Sequence, residues 1–361
     1  MKIILCGDMA VTPESVRNFE NCNAKGAFGD VLDVFKTGDR VFVNLECALT
    51  ESDDCLRKIG PCIKGPVNTA KTLKEAGVTD CFLSNNHIFD FRKKGLYDTM
   101  KTLDECGIGY TGIGENYEDS RKDYIIEDNG IKIAIINVCE HEYSYALEDR
   151  VGARPFDEFE TMHDIREAKK ENDYVIVVYH GGKEYCRYPS PRLLKACREM
   201  AYCGADAVFC QHSHIIGCYE KFEGCHIVYG QGNFHFVEIA EGESYNEGLI
   251  SALEITKDGI ELEFIPVVVE GEGIVLAKGE RKEKILSDMK ARDAEILSGE
   301  WKKGWSDFAQ TKFDWYQSVR RGEGVEAPGD ERQMFSHYLD CEAHRDMWLE
   351  LFKTWNHTNE K

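Results

Sequence analysis

A layered α/β sandwich carrying a helical C-terminal extension is the fold class that this 361-residue sequence predicts. Three observations predict it. Short apolar runs alternate with amphipathic stretches through the first half. Hairpin signals at Asp128-Asn129-Gly130, Glu223-Gly224 and Asp258-Gly259 add antiparallel pairs. Strand signals stop near Gly279 and only helical texture follows. Alternation calls for helices covering a sheet, and two stacked sheets flanked by helices use both kinds of pairing. The expected division is residues 1–270 for the sandwich and 275–361 for a helical extension packed on it.

Lys2–Cys6, Val41–Leu45 and Asp80–Leu83 read as buried strands, each a continuous apolar run. Pro66–Ala76 and Lys93–Cys106 read as helices, the second ended by Gly107. Tyr124–Glu127 and Lys132–Val138 form the first hairpin. A helix over Phe156–Glu171 leads to strand Tyr174–Tyr179, and helix Pro191–Cys203 leads to strand Ala207–Cys210. Cys218–Phe222 pairs with His226–Tyr229, and Leu249–Thr256 with Ile260–Val269. Helices then cover Glu280–Leu297, Trp305–Arg320 and Asp330–Trp355, the last two parted by Gly322–Gly329. Trp301, Trp305, Trp315 and Trp348 recur there at helix-like intervals. They predict a helical cap; substrate recognition or dimerisation is the other reading.

Composition narrows the function. Asp+Glu number 65 against 44 Lys+Arg, a net charge of −21 that repels a phosphate backbone, so no nucleic-acid partner is expected. The longest apolar runs, Val175–Tyr179 and Ile131–Val138, are too short to span hydrocarbon, so no membrane insertion is expected. Met1-Lys2 runs straight into Ile3-Ile4-Leu5 without a leader-like apolar region, which predicts a cytoplasmic protein. The 15 cysteines are odd in number and unpaired in pattern. Cys6, Cys81, Cys139 and Cys210 sit in apolar runs, so the set reads as buried, reduced thiols. The oligomeric state is open.

Five blocks each put a metal-ligand type at a strand end, where α/β sheets build their sites. They are Gly7-Asp8, Asn44-Leu45-Glu46, Asn85-Asn86-His87 with Asp90, His180-Gly181-Gly182, and His212-Ser213-His214. Carboxylate, amide and imidazole donors suit Mn, Fe or Zn, one ion or two. A two-ion hydrolytic site needs a bridging carboxylate, and Glu46 is the candidate; His212 and His214, two apart on an extended loop, can face different ions. Lesser candidates surround them. His141, beside Glu142, reads as a rim residue touching substrate, and Arg154 as a contact for an anionic group. His226 and His235 lie in apolar strands and read as core. His163, His337, His344 and His357 read as helix surface. Gly112-Ile113-Gly114 is a tight turn rather than a dinucleotide fingerprint, because the third glycine and following helix are missing.

These blocks resemble the CapA family, the bacterial capsule-synthesis or poly-γ-glutamate-biosynthesis (PgsA) family of the calcineurin-like metallophosphoesterase superfamily. The resemblance covers about residues 1–270 and includes Gly112-Ile113-Gly114, His180-Gly181-Gly182-Lys183-Glu184-Tyr185 and Gly230-Gln231-Gly232-Asn233-Phe234. It implies a four-layer α/β/β/α sandwich with a dinuclear centre. Asp8, Glu46 and His214 would hold one ion, and Glu46, Asn86, His180 and His212 the other. His87, oriented by Asp90, would protonate the leaving oxygen. Lys183, Glu184, Tyr185 and Asn233 would meet substrate. The departures are Ala10 where the superfamily opens Asp-x-His, Gly181 for a Trp, Ser213 for a Pro, and Gly230-Gln231 for Ser-Leu. Gly181 predicts a more open mouth. The implied function is a metal-dependent phosphoesterase acting on a small phosphorylated or polyglutamate-related substrate. Two alternatives are a non-hydrolytic assembly or export partner in capsule synthesis and a metal-dependent hydrolase of a γ-glutamyl bond.

Overall fold

The computed structural model describes residues 1–140, 143–322 and 331–353. His141, Glu142, Trp355 and His357 therefore lie outside the described residues. Two mixed sheets form the centre. The first runs in the order Gly273–Leu276, Gly259–Glu270, Glu247–Thr256, Lys2–Met9, Arg40–Leu45, Asp80–Phe82 and Gly109–Thr111. Asn233–His235 adds a short parallel pair on Lys2–Met9. The second runs Tyr219–Phe222, Cys225–Val228, Ala207–Gln211, Tyr174–His180, Ile131–Cys139 and Tyr124–Asp128. Within each sheet four consecutive strands are parallel: Lys2–Met9 through Gly109–Thr111, and Cys225–Val228 through Ile131–Cys139.

The apolar runs are continuous because both faces of these strands are covered. Ile3 and Leu5 point between the sheets, where they join Phe42, Phe82, Ile135, Ile176, Val178 and Phe209. Their neighbours Ile4 and Cys6 point outward against Phe28, Leu73 and Leu96. Val175 and Val177 point the other way, against Ile165, Leu193 and Met200. The period-two alternation of side chains thus makes three apolar interfaces from two sheets. Helices Thr69–Ala76 and Arg92–Cys106 cover the first sheet, and Glu160–Glu171 and Pro191–Cys203 the second. The result is the four-layer α/β/β/α sandwich. The C-terminal helices Gly279–Ser298, Trp301–Thr311, Phe313–Arg321, Glu331–Asp340 and Glu342–Phe352 follow. Trp301, Trp305, Tyr316, Met347 and Leu351 belong to the same apolar cluster as the outer face of the second sheet.

Several boundaries move, each for a local reason. The helix expected over Phe156–Glu171 starts at Glu160, because the Asp157 carboxylate accepts the Phe159 and Glu160 N–H groups at 2.8 and 2.9 Å and caps it there. The helix expected over Trp305–Arg320 is two: Lys312 turns its N–H back to Ala309 at 3.0 Å, tightening the turn between them. The stretch expected as one helix over Asp330–Trp355 is interrupted at Cys341, whose extended backbone precedes the last helix. Three one-turn helices, Val16–Glu20, Ala24–Phe28 and Val31–Phe35, were not expected, since five residues are too few to show a periodicity. The cysteine reading also needs correction. Cys55 and Cys62 form a disulfide, whereas the other thirteen are free. The bridged pair sits in an irregular loop rather than an apolar run, so the hydrophobic pattern that marks the buried thiols says nothing about it.

Candidate metal centre at the strand ends

Strand register assembles the first half of the site. Asp8 stands opposite Asn44 on one side and Asn233 on the other, all near the carboxyl ends of parallel strands. Gly7 allows the approach: a Cβ there would lie 2.3 Å from the Gly232 carbonyl oxygen. Glu46 follows one residue after the Arg40–Leu45 strand, its N–H bonded to Met9 at 2.8 Å. The second sheet supplies the imidazoles. His180 ends its strand opposite Gln211, and His212 comes next in the chain. His212 and His214 have φ of +80° and +57°, a costly backbone for a residue with a Cβ. The His212 N–H donates to Asp8 Oδ2 at 2.8 Å, which ties this strained loop to the first sheet.

Among the described residues, two triads place ligand atoms within 4.8 Å of one another: Asp8, Glu46 and His180, and Glu46, His212 and His214. Glu46 is common to both. His180 Nε2 lies 3.4 Å from Glu46 Oε1, and His214 Nδ1 lies 3.6 Å from Asp8 Oδ2. The triads group His180 with Asp8 and His212 with His214, and His214 Nε2 also lies 3.9 Å from Glu46 Oε1. Asn86 Oδ1 is 2.9 Å from His180 Nε2, so the amide faces the same space.

The donor set fits divalent metal. Glu46 is fully buried, and neither of its carboxylate oxygens has a hydrogen-bond partner among the described residues; His212 Nδ1 is equally orphaned. An unpartnered buried carboxylate is expensive unless a cation meets it. Burial, with Asp8 beside it, pushes the Glu46 carboxyl well up. Burial pushes His180 down to about 4 and His212 well down, which keeps both imidazoles neutral, the form that binds metal. His214 alone is raised: Glu46 and Asp8 outweigh the burial that opposes them. Outer partners hold the ligands in place. Asn44 Nδ2 lies 2.7 Å from Asp8 Oδ1 and 3.0 Å from His180 Nδ1, and Asn233 Oδ1 lies 3.0 Å from His214 Nδ1.

His87 and Asp90 meet at 2.7 Å through Nδ1 and Oδ2. Sequence reasoning missed the third member, Lys58. Its ammonium pairs with Asp90 Oδ1 and lies 3.2 Å from His87 Nδ1, and its side chain is 3% exposed. Burial, then Lys58, pushes His87 below its ordinary value, and Asp90 pulls the other way. The one available signal was the Cys55/Cys62 pair that closes the Lys58 loop.

A cavity of about 520 Å³ opens over this floor and is lined by Asn86, His87, Lys183, Glu184, Tyr185 and His212 from the sandwich. Lys183 lies 3.4 Å from Glu184, whose carboxyl it holds low against the effect of burial. Tyr185 stacks on Tyr245. Asn233 is buried behind His214 and bonds Tyr245 rather than lining the cavity. Arg154 is not an anion contact: it is 2% exposed and its guanidinium bonds Asp164 at 2.7 Å. His226 and His235 are buried, whereas His337 and His344 line the cavity instead of the helix surface expected for them. Gly181 does not open the mouth, because the Glu140 side chain occupies the space a Cβ would take, at 2.5 Å. No helix among the described residues is long and apolar enough to cross a membrane.

Comparison with known proteins places this architecture. The chain is 32% identical over 174 residues to the capsule biosynthesis protein CapA of Bacillus anthracis, covering 46% of this chain and 42% of that one. It is 25% identical over 243 residues to a probable polyglutamine synthesis accessory protein of Mycobacterium tuberculosis, covering 63% of each. The chain thus spans less than two thirds of the length of these relatives. Among solved structures, TT1561 of Thermus thermophilus aligns with a TM-score of 0.39 and 8% identity over 73% of this chain and 98% of that one, a likeness too slight to bear on function. Residues 2–238, which hold every candidate ligand, match the model of the bacterial capsule synthesis protein PGA_cap, and the chain belongs to that family.

Proposed function

We propose that the chain is a metal-dependent hydrolase that cleaves a phosphoester on a small anionic substrate in capsule or polyglutamate metabolism. The observation that carries this reading is Glu46, buried without a hydrogen-bond partner among the described residues and shared by two ligand triads. Asp8, Glu46, Asn86, His180, His212 and His214 would hold one or two ions of Mn, Fe or Zn. Bound there, such ions supply Lewis acidity toward a phosphoryl oxygen and lower the pKa of water. The names of the relatives support the metabolic setting.

The chain's own residues do the rest. With Nδ1 facing Asp90, His87 keeps Nε2 for substrate. An arriving phosphoester dianion raises the proton affinity of this imidazole, so Nε2 gains a proton on binding and delivers it to the leaving oxygen. Lys58 forms an ion pair with Asp90 and keeps the dyad oriented. Lys183 and Glu184, paired with each other, line the cavity beside His87. The test is metal analysis by plasma mass spectrometry with anomalous scattering, then an aryl phosphate assay with manganese. Loss of one ligand removes several kcal/mol of charge stabilisation, so His180→Ala and His212→Ala should each lose about 10³-fold in activity. Activity unchanged in both sinks the reading. Ala10 favours a second one, an assembly partner in polymer synthesis that does not hydrolyse. Loaded metal without turnover on a broad phosphoester panel, together with a co-purifying ligase or transporter, would select it.

A further inference from the structure

The far wall of the cavity is built outside the matched family region. Thr311, Lys312, Trp315, Tyr316, His337 and His344 face the floor across the cavity, all beyond residue 238. Their chemistry runs against the rest of the molecule. The chain carries a net charge of −21, yet among the described residues the cavity lining holds Lys58, Lys183, Lys312 and four histidines against one carboxylate, Glu184. Two of the lysines are engaged, Lys58 by Asp90 and Lys183 by Glu184. Lys312 differs. It makes no ion pair among the described residues, and its ammonium rests 5.6 Å from the centroid of the Phe308 ring.

A cation on a cavity wall whose one close partner among the described residues is a ring is a binding point for an anion. Trp315, three residues on, is 44% exposed. Its Nε1 donates to the Tyr338 hydroxyl at 2.7 Å, so it offers its face rather than its N–H. Floor and wall are separated by a cleft of about 520 Å³, room for more than a bare phosphate. We infer that the wall recognises a second negatively charged group on the substrate, a carboxylate or phosphate held by Lys312, with a flat spacer lying on Trp315. The substrate class is then a small organic phosphate with two anionic ends. This rests on reading the floor as a phosphoester site.

Calorimetric titration of the manganese-loaded full chain with three non-hydrolysable ligands tests it: 4-methylphenylphosphonate, 4-carboxyphenylphosphonate and 1,4-phenylenediphosphonate. At least one two-headed ligand should bind about tenfold more tightly than the methyl compound, the better one naming the second anion. Lys312→Ala should bring the affinities together, and Lys312→Arg should keep them apart. Equal affinity for all three ligands, or a preference that survives Lys312→Ala, overturns the inference. If no phosphonate binds, the floor reading fails instead, and 4-methylbenzoate then probes the wall alone. Its binding, lost in Lys312→Ala, supports the inference; its failure to bind overturns it.

Discussion

Asp8, Asn44, His180 and Asn233 come to the metal centre beneath the cavity from strands, whereas Lys312, Trp315, His337 and His344 reach the cavity's far wall from helices and the turn between them. On the floor, backbone register does the positioning. Asp8 faces Asn44 and Asn233 in parallel ladders whose register shifts beside it, between Leu5 and Asp8 on one side and between Asp8 and Met9 on the other. On the wall, packing does it. The helices take their places because Trp305 and Met347 are buried in the outer core of the second sheet, 1% and 0% exposed. A site built by register tolerates loose packing nearby; a wall built by packing does not.

Trp305→Ala is the strongest way to break that contrast. Removing a buried tryptophan should cost about 4 kcal/mol in urea unfolding, while the metal-to-protein ratio stays as in the parent chain. Metal lost along with stability would show that wall and floor are one unit. Acid should reach both regions. Burial pushes His235, beneath the floor, and His337, in the wall, down to about 4. A histidine depressed in the folded state is neutral there but takes a proton when unfolded. Its stabilisation is therefore complete above the unfolded value near 6.5 and is lost as pH falls through the window down to about 4. For fully buried His235 the loss is about 3 kcal/mol. Chemical denaturation at stepped pH checks it: the acid limb should flatten in His235→Phe, and an unchanged limb would contradict the assignment. The smallest effect sharpens the floor alone. Asn233→Ala frees the His214 ring and should weaken manganese binding about 10- to 100-fold in a chelator competition, with thermal stability of the helices unaltered.

The cysteine pattern and the helical tail show where reading along the chain stops. Cys6 and Cys81 are marked as buried by the apolar residues around them, but Cys55 and Cys62 meet only because an irregular loop folds back on itself. Lys58 looks like any surface lysine in sequence; the same loop buries it against Asp90. His337 and His344 have a helical spacing that fits solvent as well as it fits a wall.

Read alone, the chain determined the sandwich and its ligand blocks, because strand periodicity and short strand-end clusters are local properties written in neighbouring residues. Only the tertiary structure decided that Glu46 serves both triads, that Lys58 backs the His87–Asp90 dyad, and that helices far along the chain roof the site. Those contacts join residues whose separation in sequence carries no period. Side-chain burial and charge, settled only when the layers close, select them.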